Sequence, residues 1–147
     1  MSTGLVLFGH GARDPRWADT IRALAERLGA RAPDLPVEAA FLEFLSPDLS
    51  EAVDRLVARG ARSIVVAPVF LAAGGHVLRD LPDLLARAAA RHPGLRVRTA
   101  PALGSLPGVV EAMAEACLGL FATEPTPSAD APGERAPGAP PRGVDAP

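Results

Sequence analysis

Three short apolar runs, each handing over to an amphipathic stretch of helical period, restrict the fold of this chain more than any other feature. Leu5-Val6-Leu7-Phe8, Val37 to Leu42 and Ser63 to Phe70 have the length of strands, and the third is the most β-branched segment of the sequence. A strand that reads as a continuous apolar run rather than an alternation is buried on both faces, which is the situation in a parallel sheet sandwiched between helices. The expected fold is α/β: a doubly wound, four-stranded parallel sheet with helices on both faces.

The punctuation between the runs agrees with that reading. Asp14-Pro15 supplies a cap and a proline in the first helical position, and Trp17, Ile21, Leu24 and Leu28 follow on one face of a first helix. Ser46-Pro47 opens a second helix bearing Leu49, Val53, Leu56 and Val57, which stops at Gly60. A third presents Leu78, Leu81, Leu85 and Ala88 and ends near His92-Pro93-Gly94, after which a weaker strand covers Leu95 to Thr99. His92 is explained by its helix-end position, where an imidazole interacts favourably with the helix dipole. A last helix from about Ser105 places Val110, Met113, Cys117 and Leu120 on one face, and that stripe is expected to bury against its own sheet, making Cys117 a buried thiol. From Thr123 the chain is dominated by Pro, Ala, Gly and charge, which cannot offset the entropy of ordering. One domain over residues 1–122 and a disordered tail over 123–147 are expected, since 147 residues suit a single core.

The formal net charge of -2 gives no pull toward nucleic acid or an anionic membrane, and neither is expected as a partner. With one cysteine, no intramolecular disulfide is possible. The run at Leu5 to Phe8 is too short for a signal core and no later stretch approaches a membrane span, so a cytoplasmic protein is expected.

In an open parallel sheet the carboxyl ends of all strands share one edge, where loops are free to bind ligands. His10, Glu43 and His76 each stand just beyond the end of strands one, two and three, so three distant segments deliver two imidazoles and a carboxylate to one edge. Neutral imidazole ligates borderline divalent ions and accepts protons near neutral pH, and a carboxylate adds a harder ligand. Glycines flank both histidines, Gly9 and Gly11 around His10 and Gly74-Gly75 before His76; they serve either tight turns or the close approach of a bulky ligand to the main chain. There is no His-Glu-x-x-His helix, no P-loop and no complete Rossmann fingerprint, which disfavours zinc-protease chemistry and nucleotide cofactors.

The segments Gly9-His10-Gly11-Ala12-Arg13-Asp14-Pro15, Phe41-Leu42-Glu43-Phe44 and Pro68 through Val77 together resemble the small sirohydrochlorin chelatases of the cobalamin and siroheme pathways, over roughly Leu5 to Leu120. The resemblance implies a chelatase-like fold and insertion of a divalent metal, Co2+, Fe2+ or Ni2+, into a sirohydrochlorin-type tetrapyrrole, with the metal as substrate and no permanently bound cofactor. It makes His10 and His76 the paired active-site histidines and Glu43 the acidic residue that assists them, all three being catalytic and metal-handling. Arg13 and Arg79, with Gly74 and Gly75, are the expected contacts to the many-carboxylate substrate. The chain departs from the family pattern at Ala12, where serine is usual, and at Leu78, where a basic residue is common. The family implies a homodimer. A metal-binding or metallochaperone module, or a tetrapyrrole-binding protein of the same fold, is the alternative to an enzyme.

Overall fold

In the computed structural model, which describes residues 2–72 and 76–122 with the side chains of 76–78 left out, four strands form one sheet: β1 (Ser2–Gly9), β2 (Val37–Phe41), β3 (Ala61–Pro68) and β4 (Arg96–Thr99). All neighbours are parallel and the order is β2-β1-β3-β4. Between and after them run α1 (Asp19–Arg31), α2 (Leu49–Ala58), α3 (His76–Ala90) and α4 (Pro107–Ala122). The expected 123–147 tail lies outside the described residues.

The central strands explain the apolar runs. Val6 and Phe8 of β1 join Ile64 and Val66 of β3 in a cluster closed by Leu49, Ala52, Val53 and Leu56 of α2 and by Leu81, Leu85 and Ala88 of α3. Leu7 and Ala67 point the other way and meet Ala18, Ile21 and Phe41. The split follows from handedness. Parallel crossovers are right-handed, so α1, which carries the chain from β1 out to β2, lies on one face; α2 and α3, which carry it back across β1 to β3 and on to β4, lie on the opposite face.

Local capping differs in detail from the sequence expectation. Asp14 and Pro15 open a 3-10 turn, Pro15–Ala18, rather than the α-helix itself, with the Asp14 carboxylate accepting from the Arg16 backbone N–H at 3.0 Å. The change of phase takes Trp17 off the apolar face: it is 74% exposed, whereas Ile21 is buried as expected. Helix α2 starts later than Ser46-Pro47 implied, because Asp48 and Glu51 form a reciprocal capping box, with bonds of 2.8 and 2.9 Å between each side chain and the other's backbone N–H. His92 does more than sit at a helix end. Its Nε2 lies 2.6 Å from Asp54 Oδ1, tying the turn after α3 to α2.

The larger correction concerns α4. No residue of it is buried, and Cys117 is exposed, so the Val110, Met113, Cys117 and Leu120 stripe does not cover the sheet. The reason lies in what the sheet offers. On the α1 face, the positions alternating with Ile64, Val66 and Val97 are Ser63, Val65, Arg96 and Arg98, with Ser63 registered to Arg96 and Val65 to Arg98. That strip mixes one apolar side chain with two arginines and a serine, a poor match for an apolar helix.

Candidate active site

The strand order reverses at β1, so the loops after β1 and β3 part at the carboxyl edge and leave a crevice between them, the usual place for a ligand in an open α/β sheet. Three hydrogen bonds extend the sheet pairing past the strand ends. Val69 N–H donates to Phe8 O at 2.8 Å, Leu42 N–H to Gly9 O at 3.0 Å, and Glu43 N–H to His10 O at 3.2 Å. The last bond sets His10 and Glu43 side by side, and their side chains meet with His10 Nδ1 3.5 Å from Glu43 Oε1. Both are about half exposed, at 54% and 46%, so the pair contributes little to stability; its effect is on orientation. With Nδ1 facing the carboxylate, Nε2 is the ring nitrogen left for an incoming ion or proton.

Gly11 makes that pairing possible. Its φ of +89° lies in the left-handed region, and a Cβ there would overlap the carbonyl oxygen of Glu43. The loop that carries Glu43 ends its turn at Phe44, itself at φ +63°, whose ring lies 5.1 Å from the Arg13 guanidinium carbon in cation–π geometry. Arg13 is therefore exposed and drawn to the same loop cluster as Glu43.

His10 sits on the wall of a cavity of about 470 Å³ together with Gly9, Gly11, Ala12, Trp17, Thr20, Ile21, Phe41, Val69 and Phe70. Residues from the ends of β1, β2 and β3 thus share one concave, mostly apolar surface with an imidazole on it, within the size range of ligand sites. Among the described residues, a groove of about 430 Å³ between α3 and β4 is lined by no imidazole or carboxylate. Trp17 on the cavity wall is an exposed hydrophobic side chain, and so are Phe44, next to Glu43, and Leu71, next to the cavity residue Phe70. Sequence reasoning missed them as a group: Trp17 was assigned to a buried face, and only the 3-10 turn sends it out.

Of the remaining expected residues, Gly74, Gly75 and the His76 side chain lie outside the described residues. The His76 backbone begins α3, directly after the β3 loop, and Arg79 is exposed in that helix's first turn. Among the described residues no three His, Cys, Asp or Glu side chains gather as a metal site, so His10 and Glu43 are the described part of the expected set.

Residues 4–118 match the model of the CbiX family. The chain belongs to the CbiX family. It is 48% identical over 82 residues to a sirohydrochlorin cobaltochelatase of Saccharolobus islandicus, a match covering 56% of this chain and 62% of that one. A CbiX protein from Marinobacter aquaeolei VT8 superposes with a TM-score of 0.72 at 30% identity, covering 82% of this chain and 98% of the other. The sirohydrochlorin chelatase SirB from Bacillus subtilis subspecies spizizenii, in complex with cobalt, superposes with a TM-score of 0.71 at 28% identity over 82% of this chain and 51% of SirB. The CbiX chain thus spans 56 to 62% of the length of the curated relatives it matches. Its chelatase-like α/β fold is that of these structures.

Proposed function

We propose that this chain is a metal chelatase that inserts a divalent ion, Co2+, Fe2+ or Ni2+, into a sirohydrochlorin-type tetrapyrrole. The observation that carries this reading is the His10–Glu43 pair on the wall of an apolar cavity at the reversal point of the sheet. The names of the curated relatives and the cobalt complex of SirB support the substrate and make Co2+ the first ion to test.

Metal insertion replaces two pyrrole N–H protons with one M2+ ion, so a catalyst must take water from the ion, accept protons and hold the ring. His10 Nε2 suits the first two tasks, and Glu43 across Nδ1 orients the imidazole and stabilises it when protonated. His76, the first residue of α3, is the proposed second imidazole. The apolar wall with Trp17 takes a face of the macrocycle, and Arg13, with Arg79, Gly74 and Gly75, engages its peripheral carboxylates. The metal is substrate in this scheme, and no resident cofactor is invoked.

The protein is proposed to act as a homodimer in the cytoplasm. A single shallow edge covers only part of a flat macrocycle, and a second subunit supplies another wall. No described helix is long and apolar enough to cross a membrane.

Anaerobic incubation of the purified chain with sirohydrochlorin and each of the three ions, followed by absorption spectroscopy, tests the reading. Metal-dependent conversion above the spontaneous rate is expected. Ion binding without conversion of the tetrapyrrole would make the chain a metal carrier instead.

A further inference from the structure

The segment after β1 carries two arginines three residues apart, and their surroundings are opposite. Arg16 is committed to Asp14: its Nε lies 3.1 and 2.9 Å from the two carboxylate oxygens and its Nη2 2.6 Å from Oδ2, so its charge is already compensated. Arg13 has no such partner. None of the ion pairs among the described residues includes it, and its contact is with the Phe44 ring, whose centroid lies 5.1 Å from the guanidinium carbon. The difference decides what each can bind. A guanidinium meets a ring with its face, while its five N–H donors lie in its own plane and point outward. Stacking therefore fixes the group without using its donors or cancelling its charge. An incoming carboxylate finds a neutralised group at Arg16 and a free charge at Arg13.

Phe44 stands where an aromatic residue is unusual. Its φ of +63° lies in the left-handed region, in which glycine or asparagine is the common occupant, and it is 57% exposed and belongs to neither apolar cluster. Neither burial nor backbone preference accounts for a ring here; the contact with Arg13 does. Strain of this kind gathers at ligand-binding loops.

We propose that Phe44 is a positioning residue for the substrate: its ring holds the Arg13 guanidinium at the Glu43 loop, where it takes a peripheral carboxylate of the tetrapyrrole as the macrocycle settles beside His10. This rests on the chelatase reading above and on Arg13 as a carboxylate contact within it; the new element is the residue that fixes where Arg13 stands. The link to the site is short. Phe44 follows Glu43, whose N–H donates to His10 O at 3.2 Å and whose Oε1 faces His10 Nδ1 at 3.5 Å. The arm that takes the carboxylate and the imidazole that takes the ion or proton are thus built on one hydrogen-bonded pair of loops.

The test compares Phe44→Leu, Phe44→Gly, Phe44→Tyr, Arg13→Ala and the double variant Arg13→Ala with Phe44→Leu. Sirohydrochlorin binding without metal is read from quenching of Trp17, the single tryptophan, which lies on the cavity wall, and Co2+ insertion from absorption. Leucine removes the ring and keeps the strained backbone, whereas glycine removes the ring and relieves it, so the glycine variant carries the comparison if leucine disturbs the loop. In both, the dissociation constant and KM are expected to rise about 2- to 5-fold, the worth of an exposed cation–π contact, with kcat within about twofold of the wild type. Tyrosine should restore the wild-type values. Arg13→Ala should raise both constants, and adding Phe44→Leu to it should change neither, since the ring acts through the guanidinium. A Phe44→Leu effect that persists in the Arg13→Ala background, or that falls on kcat alone, makes the ring mere packing for the Glu43 loop and overturns the proposal. Turnover by the wild type with unchanged binding in Phe44→Gly overturns this proposal alone, and a wild type that neither binds nor converts sirohydrochlorin overturns the chelatase reading with it.

Discussion

Gly11→Ala is the sharpest test of how the site is built, because its cost divides into two parts that a second glycine separates. Gly11 at φ +89° and Gly60 at φ +91° have nearly the same backbone conformation. An alanine in that region costs about 1–2 kcal/mol through contact of its Cβ with its own backbone. At Gly60 no other atom lies within 4 Å of the added carbon, so Gly60→Ala is expected to cost that amount and nothing more. At Gly11 the added carbon overlaps the Glu43 carbonyl oxygen, and the Glu43 backbone must retreat, at a further cost of about 1–3 kcal/mol. The sum, about 2–5 kcal/mol, falls within the roughly 5–15 kcal/mol that holds a domain together, so a folded variant is expected at low temperature. The retreat pulls Glu43 from His10, whose 3.5 Å contact depends on the backbone bond between them. A misplacement of about 1 Å in such a pair costs on the order of 10²-fold in rate. Urea unfolding measures the two stabilities and the initial rate of Co2+ insertion measures the site. The expected outcome is a slow, destabilised Gly11→Ala beside a mildly destabilised Gly60→Ala of full activity. Equal destabilisation of the two, or a wild-type rate in Gly11→Ala, would refute the reasoning.

Four further outcomes are expected. His10→Ala should lower insertion by about 10² to 10⁴ with the fold retained, Glu43→Gln should fall between it and the wild type, and steady-state rates alongside circular dichroism check both. His92→Ala should lose roughly 0.5–2 kcal/mol of stability, discounted for partial exposure, by removing one of the two partners of Asp54 and leaving Arg91 as the other, while insertion stays unchanged; equal unfolding midpoints would show that the contact contributes nothing. The hydrogen bonds from Arg16 hold the Asp14 carboxyl below its ordinary range. A group depressed in the folded state stabilises it above the unfolded pKa and loses that contribution as pH falls through the folded one, so Asp14→Asn should be slightly less stable than the wild type at neutral pH, with a flatter acid limb below about pH 4 where the two proteins converge, as unfolding midpoints measured against pH would show. Removing residues 123–147 should leave insertion and solubility as they are, which sedimentation and turnover of the shortened chain measure.

Much of this molecule was legible in its residues because the signals were local. The continuous apolar runs of β1 and β3 announce strands buried on both faces, and burial by α1 on one side and α2 with α3 on the other is what the structure contains. The positions of His10 and Glu43 just past strand ends were equally readable, since any parallel sheet puts those ends on one edge. Helical periodicity was a poorer guide wherever phase or partner mattered. It put Trp17 on a buried face because it took Asp14 as the start of an α-helix, and a 3-10 turn of four residues was enough to turn the ring to solvent.

Contacts between distant segments were beyond any window. His92 and Asp54 are 38 positions apart, and neither shows in sequence that it has a partner. The apolar stripe of α4 identifies a helix that must be covered, but periodicity records only that a face is apolar and never what lies against it. The sequence by itself determined the strands, the helices and the edge on which the imidazole and carboxylate stand. Tertiary structure alone decided that Gly11 would yield its space to Glu43, that Trp17 would face the cavity and that α4 would leave the sheet, because each depends on surfaces that exist only after separate elements have met.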